Sequence, residues 1–96
     1  MDPAPLQLLL ADDDEDDCFF FEGALAELET ITELTTVHDG EQLMRRLTGL
    51  ASTDLPYALF LDLNMPRKNG FECLLEIKED PALNRLPVII LSTCFA

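Results

Sequence analysis

The sequence predicts a doubly wound α/β domain in which a parallel sheet carries helices on both faces. Three observations point there. Short apolar runs alternate with stretches of helical periodicity in the order strand, helix, strand, helix, strand, helix, strand. The run YALFL at residues 57–61 is unbroken by polar residues, as in a strand covered on both faces at the centre of a parallel sheet. Polar chemistry then follows the strands: Asp12 and Asp13 after the first, Asp62 after the third, Ser92 after the fourth. Parallel strands joined by right-handed crossovers present their carboxyl ends on one side, where open α/β sheets hold their ligands.

Ninety-six residues suit a single domain, and a 48% hydrophobic content supplies a core in spite of a formal net charge of -13. That charge, with only six Lys and Arg, argues against nucleic acid, whose phosphates are bound by cations. No apolar run approaches the roughly 20 residues that span a bilayer, so no membrane segment is expected. No signal peptide precedes the first strand, and a cytoplasmic location is expected. Cys18, Cys73 and Cys94 are odd in number, far apart and set among apolar residues, which suits reduced core thiols better than a disulfide framework or a zinc site.

The first strand, residues 6–11 (LQLLLA), runs into six consecutive acids, Asp12 to Asp17. From Asp14 onward Cys18, Phe21, Leu25 and Leu28 fall at helical spacing, so a helix is expected to run to near Glu29. Carboxylates in a first turn interact well with the helix dipole, which accounts for Asp14 to Asp17. It does not account for Asp12 and Asp13, crowded together at a strand end where a cation is needed. Residues 31–37 (ITELTTV) alternate as an edge strand does. Asp39-Gly40 turns the chain into a helix with Leu43, Met44, Leu47 and Leu50 on its apolar face. His38 at this turn reads as a solvated polar residue without a role. Residues 51–56 form a linker.

The third strand must stop close to Asp62, because Pro66 ends ladder pairing and biases Met65 toward an extended backbone. Asn69 is the expected N-cap of a helix with Phe71, Leu74, Leu75 and Lys78 on one side, ended by Asp80-Pro81. Pro87 opens the last strand, residues 88–91.

Carboxylates unaccompanied by Cys or His select a hard cation, and Mg²⁺ with one or two carboxylates, a carbonyl and waters is the natural choice. A phosphoryl group beside such a cation can be attacked by Asp62 as a carboxylate nucleophile, giving an aspartyl phosphate, with Ser92 donating to a phosphoryl oxygen.

The stretches LLLADDDEDD, LDLNMPRKNGFE and LPVIILST closely resemble the receiver domain of two-component response regulators, in the same order along almost the whole chain. The resemblance implies a flavodoxin-like sheet of order 2-1-3-4, with Asp62 as phosphoacceptor, Asp12 and Asp13 as the acidic pair and Ser92 as the hydroxyl residue of the fourth strand. It implies a metal taken by the Asp13 and Asp62 side chains and the Asn64 carbonyl, with Asp12 acting through water. It also implies a sensor histidine kinase or phosphotransfer protein as partner, contacting the first helix. Phe19, Phe20 and Phe21 cannot all face the core there, so at least one is expected to be exposed. The stretch MPRKNG is similar to stand-alone receivers that partner phytochrome-type and other hybrid kinases.

Receivers continue with a further helix, strand and helix beyond the position of Ala96, including a lysine that contacts the phosphoryl group. Neither Lys68 nor Lys78 matches that lysine. Residues 1–96 are therefore expected to form a receiver without its C-terminal helix-strand-helix and its fifth strand, binding metal but stabilising phosphate weakly. Homo-oligomerisation through residues 87–96 is expected at the sheet edge so left. A degenerate receiver acting as an interaction module is the rival within this reading. A haloacid dehalogenase-type phosphotransferase is disfavoured because Asn64 stands where those enzymes place a second Asp, so an acceptor rather than an enzyme is expected. A calcium loop over Asp12, Asp14 and Asp16 fails at Asp17 and Gly23, where Gly and Glu are required.

Overall fold

The computed structural model describes residues 4–91, with β1 (Leu6–Ala11), α1 (Glu15–Ala26), β2 (Thr32–Val37), α2 (Gly40–Thr48), a 3-10 turn (Ser52–Asp54), β3 (Ala58–Asp62), α3 (Gly70–Glu79) and β4 (Val88–Leu91) in succession. Every strand pairing is parallel and the order is β2-β1-β3-β4, the flavodoxin-like arrangement expected from the sequence.

Strand alternation divides the core between two faces. Leu9, Ala11, Leu59 and Leu61 pack with Leu43 and Leu47 of α2, Cys73 and Ile77 of α3, and Leu83 and Leu86 from the turn after α3. Leu8, Leu10 and Ala58 are buried on the other face. There Phe21 of α1 meets Phe60 edge to face, with ring centroids 4.8 Å apart. The register sets the site. Ala11 lies level with Leu61, so the next residue on each strand, Asp12 and Asp62, emerges beside the other.

Three sequence expectations need correction. The first helix ends at Ala26 with Glu27 as its C-cap, short of Glu29, because Glu27 and Leu28 turn back with short bonds to Ala24 and Leu25. Leu28 is consequently exposed, as is Ile31, which lies outside β2. In α3 the buried residues are Gly70, Cys73 and Ile77, while Phe71 and Leu75 are exposed. Of the face expected there, only Leu74 packs against the core. Gly70 decides this rotation: a side chain there would bring its Cβ to 2.7 Å from Leu63 Cα, so the first turn of α3 lies flat against the end of β3. As expected of a sheet of order 2-1-3-4, β4 pairs with β3 alone among the described residues, and its Ile89 and Ile90 are exposed.

Candidate functional site

The ends of β1 and β3 bring the expected acids together. Asp12 is 2% exposed and Asp62 3%, whereas Asp13 is open to solvent. A carboxylate oxygen of each of Asp12, Asp13 and Asp62 lies within 4.8 Å of the others. Asn64 is joined to this group by its main-chain N–H, which donates to Asp62 Oδ1 over 3.0 Å. Ser92 lies outside the described residues, as does Cys94.

Crowding has an electrostatic consequence. Burial pushes the Asp12 carboxyl up from 3.8 to about 6, the charges of Asp62 and Asp17 push the same way, and the Asp14 N–H, 2.9 Å from Asp12 Oδ1, opposes them. Among the described residues the ion pairs are Arg67–Asp39 and Lys68–Glu76, and neither reaches Asp12 or Asp13. Three convergent carboxylate oxygens fit a hard divalent cation. The other acids of the run do what the helix requires. Asp14 caps α1 by accepting from the N–H groups of Asp16 and Asp17, and Glu15, Asp16 and Asp17 fill the first turn.

The loop of residues 63–69 is held at both ends. Gly70 N–H donates to the Leu63 carbonyl over 3.0 Å, and Lys68 N–H to the Pro66 carbonyl over 2.7 Å. Asn69 closes a capping box with Glu72 at the start of α3, as the sequence led one to expect of its N-cap. Arg67, midway along, has a φ of 65°, the left-handed region that costs a non-glycine residue.

Three features of the site escape sequence reasoning. Asp39 is 4% exposed and shares its two oxygens, Oδ1 accepting from Gln42 N–H at the start of α2 and Oδ2 lying 3.2 Å from Arg67 Nη1. The Asp39 cap with Gln42 three residues on was a legible signal; the partner Arg67 was not. Gly40 meets the Lys68 backbone so closely that a Cβ would come to 2.6 Å from the Lys68 carbonyl carbon. His38, expected to be merely solvated, is exposed yet has its ring Nδ1 3.2 Å from the Asp12 carbonyl, an acceptor to which a protonated Nδ1 can donate.

Cys18 and Cys73 are buried free thiols, as expected, and burial pushes each up to about 11. Cys18 Sγ approaches the Asp12 carbonyl and Cys73 Sγ the Gly40 carbonyl. No helix among the described residues is long and apolar enough to cross a membrane.

Comparison with known proteins agrees with this geometry. Residues 8–94 match the model of the response regulator receiver domain. Over 92 residues the sequence is 35% identical to the response regulator Rcp1 of Synechocystis sp., covering 93% of this chain and 63% of that protein, so the chain spans less than two thirds of its length. The structure superposes on the phosphorylated cyanobacterial phytochrome response regulator RcpA with a TM-score of 0.87 at 38% identity, covering 97% of this chain and 69% of that one. On the Mn²⁺-bound form of Rcp1 the TM-score is 0.86 at 34% identity, covering 96% and 68%.

Proposed function

The chain belongs to the response regulator receiver domain family, and on that premise we propose that it accepts a phosphoryl group on Asp62 from a histidine kinase or phosphotransfer protein, with Mg²⁺ as the ion at the acidic site. The observation that carries this reading is the convergence of Asp12, Asp13 and Asp62 within 4.8 Å at adjacent strand ends. Asp13, Asp62 and the Asn64 carbonyl would hold the ion, with Asp12 acting through water, and the ion supplies charge neutralisation for incoming phosphate. The chain's own groups do the rest. The Asn64 N–H fixes one oxygen of Asp62, and burial at the end of β3 keeps the carboxylate from turning away. A carboxylate oxygen of Asp62 then forms the new O–P bond while the donor's P–N bond breaks, and the departing imidazole takes up a proton. Ser92 contacts a phosphoryl oxygen in this reading. An acceptor of this kind is a signalling component rather than a turnover enzyme.

Phe19 and Phe20 on α1, 72% and 70% exposed, give the kinase an apolar contact beside the acids. The Rcp1 and RcpA likenesses favour a phytochrome-type partner. The exposed Ile89 and Ile90 on β4, the last strand among the described residues, favour self-association through the C-terminal strand, which sedimentation across protein and salt concentration tests: a monomer throughout would exclude it. For the site itself, calorimetry should show Mg²⁺ binding that is weakened most in Asp13→Asn and also in Asp62→Asn. Equal affinity in both variants and the parent chain would remove the basis of the proposal.

A further inference from the structure

We propose that Asp39 and Arg67 are positioning residues for the acceptor site: their ion pair pins the loop after β3 to the start of α2 and thereby keeps the Asn64 N–H on Asp62. The inference rests on the phosphoacceptor reading above. It starts from an asymmetry. The Asp39 side chain is 5% exposed and the Arg67 side chain 62%, so a buried carboxylate on one element has drawn a surface arginine from another 28 positions away. Each Asp39 oxygen has one task, Oδ1 capping α2 through Gln42 N–H and Oδ2 meeting Arg67.

Arg67 reaches Asp39 from a left-handed backbone, at φ 65°, that an arginine rarely adopts and that persists only where its surroundings hold it. The surroundings here are specific. The loop closes on itself through Gly70 N–H to Leu63 and Lys68 N–H to Pro66, and the Lys68 carbonyl rests against Gly40, the residue after Asp39. The ion pair is thus the charged member of a seam joining the loop to α2. Asn64 is one residue beyond the Leu63 closure, so slack admitted at Arg67 reaches the N–H that orients Asp62. Partners that orient metal ligands commonly change affinity about 10–100-fold when lost.

Variants separate positioning from mere support. Asp39→Asn keeps a good N-cap but loses the charge, and Arg67→Asn suits a left-handed backbone but loses the pair. Arg67→Lys keeps a cation within reach. In metal-free protein, amide hydrogen exchange at Asn64 and Gly70 should quicken in Asp39→Asn and Arg67→Asn and stay near the parent rate in Arg67→Lys, with cooperative unfolding retained in all three. Mg²⁺ affinity should fall about tenfold in the first two and recover in the third. Unchanged exchange in Arg67→Asn overturns the pin, as does a loss that Arg67→Lys fails to restore. If the parent chain itself bound no Mg²⁺, the phosphoacceptor reading would fall and the exchange rates alone would decide the pin.

Discussion

The main-chain N–H of Asn64 donates to Asp62 Oδ1 over 3.0 Å, so the Asp62 carboxylate is oriented by the loop that it introduces. Its neighbour Asp12 is oriented the same way, by the N–H of Asp14 two residues on. Two adjacent strands thus end in carboxylates facing each other, a repulsive arrangement that metal would relieve, and its cost should be measurable.

The first prediction concerns that cost. The folded Asp12 carboxyl is raised from 3.8 to about 6, so the folded state holds its proton more tightly than the unfolded chain does. Stability from this group is therefore fully present below about pH 3.8 and lost as pH rises through about 6. The loss is on the order of 2–3 kcal/mol, at about 1.4 kcal/mol per unit. In metal-free buffer Asp12→Asn should stabilise the fold at pH 7 by about 1–3 kcal/mol and flatten the decline between pH 4 and 7. Urea unfolding across this range checks it, and a variant no more stable than the parent would show that the crowding is already compensated.

A second prediction uses Gly70. A Cβ there would come to 2.7 Å from Leu63 Cα and against the Asp62 carbonyl, so Gly70→Ala must push α3 away from β3. Overpacking of this kind costs about 1–3 kcal/mol. Thermal unfolding should report that loss and calorimetry a weaker Mg²⁺ affinity. The same substitution at Gly23, with nothing within 4 Å, should leave the site untouched.

The aromatic pair on α1 leads to a third. Phe19 and Phe20 touch each other edge to face at 6.1 Å and are otherwise exposed, so Phe19→Ser with Phe20→Ser should change stability by no more than about 0.5 kcal/mol per site. Phosphorylation by a small acyl phosphate should be unaffected, while transfer from a phosphorylated histidine kinase slows. Equal slowing with both donors would mean that the pair supports the fold.

The fold was legible because β1 and β3 are apolar runs that only a two-faced sheet can bury, and because parallel register places Asp12 beside Asp62 without further assumption. The rotation of α3 was not. Phe71 and Leu75 are the bulkier apolar residues and invite an inward reading, yet the closeness of Gly70 to Leu63 turns Cys73 and Ile77 inward instead. Periodicity within a helix cannot show a contact that fixes its roll from outside. Likewise the link from Asp39 to Arg67 and that from His38 to Asp12 join residues 28 and 26 positions apart, and nothing local in the sequence announces them. Ser92, read as a phosphoryl contact, falls outside the described residues.

The role of Asp62 as acceptor is checked by treating the parent chain and Asp62→Asn with a small acyl phosphate and Mg²⁺. Borohydride then reduces any aspartyl phosphate to homoserine, and peptide mass spectrometry locates it. Homoserine is expected at position 62 of the parent chain and nowhere in Asp62→Asn. Homoserine at position 12 or 13 of the parent chain, or phosphate carried instead on His38 or Ser92, would contradict it.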